Sequence, residues 1–370
     1  ALTGAVSLPS TTHVEWDPPV LAPGWWLAPN MERLSRLGPP GPDCVRASKR
    51  FVSMRGEFGR TNNVLREMAN LAGIVLMRYE IIGLRAAMVL PQVYHDFIAT
   101  DLNWGAAFSN WICVANSTEE VRASHPEASV EMPEAKSVFK RSIAAAASFF
   151  QSMVVSQLLL RPSPHLRASV VRLEDSHLGG AAYVAIHLRS LEGSCEERFR
   201  RRRPILVSPS SWSGDGPTWE DLCHMSDAYI DAWLEARSVP RNAPLVVCHD
   251  GQQSERLAQL RHRYNVTVFA EAVAPPHGDG PSAGVLADML LMLRAHTFIG
   301  NPTSSLSINV AAVRQMVLAE PGCNLRPLSY RALTAPTMSI RKELGRRPRM
   351  MPMAAARYRE VAPYLSPSAA

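Results

Sequence analysis

Short, wholly apolar runs alternate along the chain with segments whose apolar residues recur every three or four positions. Phe51, Val52 and Met54 make a brief β-type run, which Arg55-Gly56-Glu57-Phe58-Gly59-Arg60 interrupts with a glycine-bearing turn. From residue 61 to 77, Val64, Leu65, Met68, Leu71, Ala72 and Val75 fall on one helical face. Strand, glycine turn and amphipathic helix in that order open a doubly wound α/β domain. A second alternation begins near Ala181. Strands are predicted there over 182–188, 245–248, 266–269 and 296–299, with helices over 252–264, 282–294 and 305–314. Such alternation implies parallel sheets. The prediction is an α/β fold of two Rossmann-like, doubly wound halves facing a cleft, without an internal sequence repeat.

Length agrees with two halves, since 370 residues exceed what one ordinary core supports. The expected division is 45–165 for the N-terminal domain and 166–320 for the second. Residues 1–44 are rich in Pro, Gly and Trp without a period and read as an extended arm. Residues 321–370 are basic and Pro/Met-rich, and read as an arm packing back. Ser142–Leu160 carries no charge, but its serines, glutamines and alanine-rich first half favour an interior helix over a membrane span.

Composition narrows the partners. With 46% apolar and 19% charged residues the chain is no disordered polymer. Lys plus Arg exceeds Asp plus Glu by 39 − 33 = 6, a mild preference for anionic ligands. The run Arg198 and Arg200 to Arg203 reads as a solvated face, and no RNP, zinc-finger or helix-turn-helix pattern accompanies it. Neither a nucleic-acid partner nor membrane contact is expected. Six cysteines show no CxxC pair and no zinc spacing, and their pairing stays open. Asn116-Ser117-Thr118 and Asn265-Val266-Thr267 are glycosylation sequons, whereas proline blocks Asn301-Pro302-Thr303. They point to the lumen of the secretory pathway, endoplasmic reticulum or Golgi. The chain opens on Ala1 without Met or a basic n-region, so a signal or anchor is expected ahead of it.

Three places carry candidate chemistry. In Tyr183-Val184-Ala185-Ile186-His187-Leu188-Arg189, strand alternation puts His187 and Arg189 on one side. They stand at the carboxyl end of a strand, where open α/β sheets place ligands. The competing structural reading pairs Arg189 with Glu192 and leaves His187 a satisfied core histidine. In 296–307 a strand ends in Gly300-Asn301-Pro302, and Thr303, Ser304 and Ser305 open a helix whose free N–H groups suit an anion. N-capping by Ser304 or Thr303 is compatible with that role. The turn from Gly56 to Arg60 allows close backbone approach, with Glu57 or Arg60 facing the cleft. Asp250 ends a strand ahead of a helix, a capping position by default; Asp288 lies within a helix and reads as a surface carboxylate. No Walker A, HExxH, GxSxG, EF-hand or Asp-x-Asp pattern occurs, so no carboxylate metal site of the sugar-nucleotide kind is encoded.

Taken in order, the glycine turn, the "AIHLR" strand followed by Cys195, and "FIGNPTSSLSINVAAVR" resemble the O-fucosyltransferase superfamily over roughly residues 50 to 320. "LPQVYHDFIATDLNWGAAF" resembles that family's loop after its second strand. The resemblance implies a GT-B fold. It also implies inverting transfer of fucose from GDP-fucose to a hydroxyl of a protein or glycan acceptor, with no cofactor and no metal. In this resemblance Arg189 matches the essential arginine that braces the diphosphate, and His187 the histidine on the nucleotide side. Ser304 and Ser305 match the hydroxyl pair at the β-phosphate, Asp288 the aspartate near guanine, and Asp250 the strand-ending aspartate. Glu57 matches the glutamate proposed as base in the branch acting on thrombospondin-type repeats. Gly56, Phe58, Gly59, Arg60, Asn63 and Thr303 complete the donor-side set. The turn departs from the pattern: Arg60 stands where protein O-fucosyltransferases have Asn after the second glycine, and Asn62 and Asn63 follow later. A non-catalytic relative that binds a glycan or protein is the alternative.

Overall fold

The computed structural model describes residues 40–56, 61–79, 84–91, 112–134, 159–202, 212, 216–268, 281–317 and 322–325. The predicted arm before residue 40, the turn residues Glu57, Phe58, Gly59 and Arg60, the uncharged run up to residue 158 and the tail after 325 lie outside the described residues. Two compact units part between Ser163 and Pro164.

In the first unit α1 (Cys44–Ala47) precedes β1 (Arg50–Val52), α2 (Thr61–Arg78), β2 (Ala86–Val89), β3 (Cys113–Ala115), α3 (Thr118–Ser124) and β4 (Val130–Glu131). The strands pair in the order β3-β2-β1-β4, all parallel, with Phe51 opposite both Ala87 and Val130. Every residue of β2 is buried, as a strand covered on both faces requires. Val64, Leu65, Met68, Leu71, Ala72 and Val75 of α2 are all buried, as their spacing predicts. Glu67 and Asn70 of the same helix are buried too, which the apolar stripe alone did not indicate. Ser117 caps α3 by accepting the Glu120 amide at 3.2 Å, and a disulfide from Cys44 to Cys113 fastens α1 to β3.

The second unit runs α4 (Pro164–Leu178), β5 (Val184–Leu188), α5 (Cys195–Arg202), α6 (Trp219–Cys223), α7 (Asp227–Ala236), β6 (Leu245–His249), α8 (Ser254–Arg263), β7 (Val266–Thr267), α9 (Pro281–Arg294), β8 (Thr297–Ile299) and α10 (Ser305–Val317). Its strands again pair all parallel, in the order β7-β6-β5-β8. Both units therefore wind their strands in the same order, a repetition of topology without a repeat in sequence. Val184, Ile186 and Leu188 join Leu245, Val247 and Ile299 on one face of the sheet. Tyr229, Ile230, Trp233 and Leu234 of α7 and Leu257 and Leu260 of α8 pack there. No element is predicted between residues 189 and 245, yet α5, α6 and α7 lie there. Burial of each large apolar side chain of α7 contributes about 1.5–3 kcal/mol, so tertiary packing sustains a helix that short. Behind β5, the Arg294 guanidinium grips the Glu174 carboxylate with Nε–Oε1 at 2.9 Å and Nη2–Oε2 at 2.9 Å. Tyr183 donates to the same carboxylate at 3.0 Å, tying α4 and α9 to the sheet. No helix among the described residues is long and apolar enough to cross a membrane.

Candidate functional site

The strand order of the second sheet reverses at β5: the chain first proceeds outward to β6 and β7, then returns to place β8 on the other side. Such a switch point leaves a crevice at the carboxyl ends of the two strands where the order turns. Here those ends carry His187, Arg189 and the Gly300-Asn301 turn. Gly300 is required by close packing. A Cβ there would lie 2.8 Å from the Phe298 ring and 2.9 Å from the Ser307 Cβ.

Asn301 organises the turn. Its Nδ2 donates to the Arg189 carbonyl at 3.0 Å, and its Oδ1 accepts both the Thr303 amide (2.9 Å) and the Thr303 hydroxyl (2.8 Å). The Ser304 amide donates to the Asn301 carbonyl at 3.1 Å, which starts the turn into α10. Asn324 grips the other side, accepting the Gly300 amide and donating to the Gly300 carbonyl, each at 2.8 Å. The disulfide from Cys195 to Cys223 lies against this loop, with Asn301 Nδ2 at 3.4 Å from Cys195 Sγ.

Arg189 is held from one side only. Its Nε stands 3.6 Å from Oδ2 of Asp250, whose side chain is 3% exposed. The same carboxylate accepts the Ser190 amide (3.1 Å), the Ser190 hydroxyl (2.9 Å) and the Gln252 amide (3.2 Å). Arg189 therefore pairs with Asp250. Its two terminal amino groups have no partner among the described residues. His187 is 5% exposed, and its Nδ1 lies 2.7 Å from the Ser307 Oγ. Burial first, and the nearby Arg189 guanidinium second, push the imidazole down to about 3 against a lesser opposing pull from Asp250, so the ring is neutral at physiological pH. Ser304 is buried and its hydroxyl has no partner among the described residues, while Ser305 is half-buried at the start of α10. The result is a set of donors gathered at the carboxyl ends of β5 and β8, of which the outer Arg189 amino groups and the Ser304 hydroxyl meet no acceptor among the described residues.

The remaining predicted residues fall as follows. Thr303 is buried with its hydroxyl engaged by Asn301, so it shapes the turn instead of offering a free donor. Asp288, predicted to be a surface carboxylate, is half-buried on α9 on the face where Cys248 stands opposite His187 in the sheet register. Burial pushes its carboxyl up to about 7, with a weaker opposing contact from the Cys248 thiol. Gly56 follows β1, exposed, with φ +71°, a conformation that suits glycine. Asn63 lies in the first turn of α2. Residues 187, 189, 250, 303 and 304 are thus drawn into one hydrogen-bonded neighbourhood, whereas Gly56 and Asn63 belong to the first unit. Ser190, Asn301, Ser307 and Asn324 also belong to the neighbourhood and were not singled out from the sequence.

No protein-family model matches the chain, and no curated protein sequence matches it. Among solved structures it is similar to POFUT1 in complex with GDP, at 13% identity over 74% of this chain and 97% of that one, with a TM-score of 0.49. POFUT1 in complex with GDP-fucose is 14% identical over 75% and 96%, with a TM-score of 0.48. The fucosyltransferase NodZ from Bradyrhizobium is 14% identical over 74% and 94%, with a TM-score of 0.42. At these identities the likeness is one of chain fold.

Chemically, the neighbourhood suits an anion whose charge is spread over several oxygens. A fork of guanidinium nitrogens, a hydroxyl and the N-terminal amides of α10 meet such a group with charge-assisted bonds and an aligned dipole. Among the described residues no group of three or more His, Cys, Asp or Glu is placed to hold a metal ion.

Proposed function

We propose that the chain transfers fucose from GDP-fucose to a hydroxyl of a protein or glycan, with inversion at the anomeric carbon and without a metal ion. This reading takes the two parallel α/β units as the halves of a GT-B transferase. The observation that carries it is Arg189, held through Nε by a buried carboxylate at the switch point, with its outer amino groups free among the described residues. Two of the motifs that resemble the O-fucosyltransferases, the AIHLR strand and the segment opening FIGNPTSS, fall at the same place and supply the choice of donor. As the bond from the anomeric carbon to the β-phosphate oxygen breaks, negative charge builds on the departing GDP. Arg189, Ser304, Ser305 and the amides opening α10 are arranged to stabilise that charge, commonly worth a few kcal/mol per donor. Asp288 lies near the guanine in this reading, and Glu57 takes the proton of the attacking hydroxyl. Two disulfides and the exposed sequon asparagines Asn116 and Asn265 support a site of action in the secretory lumen.

Calorimetric titration of GDP, with and without EDTA, tests the donor assignment. Binding should survive EDTA and weaken about a hundredfold in Arg189→Ala, in line with the ~2–5 kcal/mol typical of truncating one partner of a desolvated charge pair. Absence of GDP binding in the wild type would remove the donor. Glu57→Gln should slow transfer from GDP-fucose by at least about 10²-fold while GDP binds as before. GDP binding without transfer to any hydroxyl acceptor would instead identify a non-catalytic relative.

A further inference from the structure

The contact between His187 and Ser307 involves two groups that can each donate or accept, and what surrounds the serine bears on its direction. Ser307 Oγ receives the Asn301 amide at 2.9 Å and lies 2.7 Å from His187 Nδ1. A backbone amide can only donate, so that contact uses a lone pair of Oγ and leaves the hydroxyl proton to be placed. Among the described residues Ser307 has no other side-chain partner, so His187 Nδ1 is the acceptor available to it. The remaining ring nitrogen, Nε2, has no partner among the described residues, although the side chain is more than nine-tenths buried.

We infer that Ser307 holds His187 in the tautomer with its proton on Nε2, so that His187 offers a neutral N–H donor to an acceptor oxygen of the ligand at the carboxyl end of β5. Ser307 is a positioning residue: it touches the histidine, not the ligand. The inference rests on reading this end of the sheet as the donor-binding site. It adds that a phosphate or ribose oxygen meets a directed dipole at His187, while Arg189 supplies the charge. The charged and titratable groups around the ring agree with a neutral imidazole. Arg189 follows on the same strand and opposes a second positive charge, Asp250 after β6 pulls weakly the other way, and the Cys248 thiol stands beside His187 in the sheet register. Asp288 lies across on α9, its carboxyl pushed up to about 7 by burial, so that it carries only part of its charge at neutral pH. From β8 Phe298 shares its face of the sheet, and from α10 the neighbour is Ser307 itself.

Long-range ¹H–¹⁵N correlation NMR on the intact chain with ¹⁵N-labelled histidine decides the tautomer, with His187→Gln identifying the relevant signals. The expected pattern is an unprotonated Nδ1 and a protonated Nε2 that persist to low pH. In Ser307→Ala the pattern should become a mixture and the ring should take up a proton at a higher pH. GDP affinity should fall about three- to tenfold in that variant, while Ser307→Thr, which keeps the hydroxyl, should remain within about twofold of wild type. A wild-type proton on Nδ1, or an unchanged tautomer and titration in Ser307→Ala, overturns the inference even if GDP affinity drops, since packing alone would then explain the loss. Failure of the wild type to bind GDP would remove the nucleotide reading, and the NMR pattern would still decide what Ser307 does.

Discussion

Asp250 shows how one side chain sets the behaviour of another. Four groups converge on its carboxylate, two of them from Ser190, so it is fixed and nearly dry, and it reaches Arg189 only through Nε. Replacing it by Asn keeps an acceptor for the two amides but removes the charge that orients the guanidinium. Asp250→Asn should therefore weaken GDP binding about tenfold, ~1.4 kcal/mol, without a matching loss of thermal stability. An unchanged affinity by the same calorimetric titration would mean that Arg189 needs no such orientation. At this scale the sequence exposed His187, Arg189 and Ser304, because a polar residue ending an apolar strand, or opening a helix after a Gly-Asn-Pro turn, is conspicuous. It did not expose Ser190, Asn301, Ser307 or Asn324. Their importance comes from partners tens of residues away, such as His187 and Ser307 at a separation of 120.

Among elements, the join between α9 and β8 governs where the Gly300-Asn301 turn sits. Arg314 of α10 is wholly buried and donates from Nη1 to the carbonyls of Met292 (3.0 Å), Leu293 (2.7 Å) and Ala295 (2.7 Å), and from Nη2 to that of His296 (3.2 Å). It thereby satisfies carbonyls that the end of α9 leaves without helical partners and places positive charge at the negative end of the helix dipole. Burial lowers its guanidinium only to about 10, so it stays charged at neutral pH. Arg314→Met should cost roughly 3–5 kcal/mol, because it strands several buried carbonyls at once. Arg314→Lys should recover only part of that, since one ammonium cannot fork across four acceptors. Urea unfolding of the three proteins tests this, and a loss below about 1 kcal/mol for Arg314→Met would refute it. The apolar spacing marked α2, α9 and α10 within a few residues of their observed ends. It could not mark Arg314 as an internal cap, since an arginine in a helix reads as a solvated one until its neighbours are known.

Across the molecule, buried His187 and half-buried Asp288, on one face of the second sheet, make opposite demands on pH. His187 titrates near 3 in the fold, below its ordinary 6.5, so the native state binds fewer protons and stability is lost as pH falls through that window. Asp288 titrates near 7, above its ordinary 3.8, so the native state binds more protons and stability is lost as pH rises from about 4 to 7. Between about 4 and 6.5 the two slopes oppose each other. Asp288→Asn removes one, so its stability relative to wild type should increase with pH over that range, by at most about 1.4 kcal/mol per pH unit. Denaturant unfolding of both proteins at several pH values measures the difference, and a pH-independent difference would show that Asp288 is ionised throughout. What the sequence by itself determined is the class of the fold and which polar residues stand at strand ends and helix starts, because periodicity and local residue type act over a few neighbours. The strand orders, the pairing of Cys44 with Cys113 and Cys195 with Cys223, the partial burial of Asp288 and the pairing of Arg189 with Asp250 were decided only by the tertiary structure. Each depends on which distant segments a parallel sheet brings side by side, and short apolar strands of similar composition carry no local mark of their neighbours.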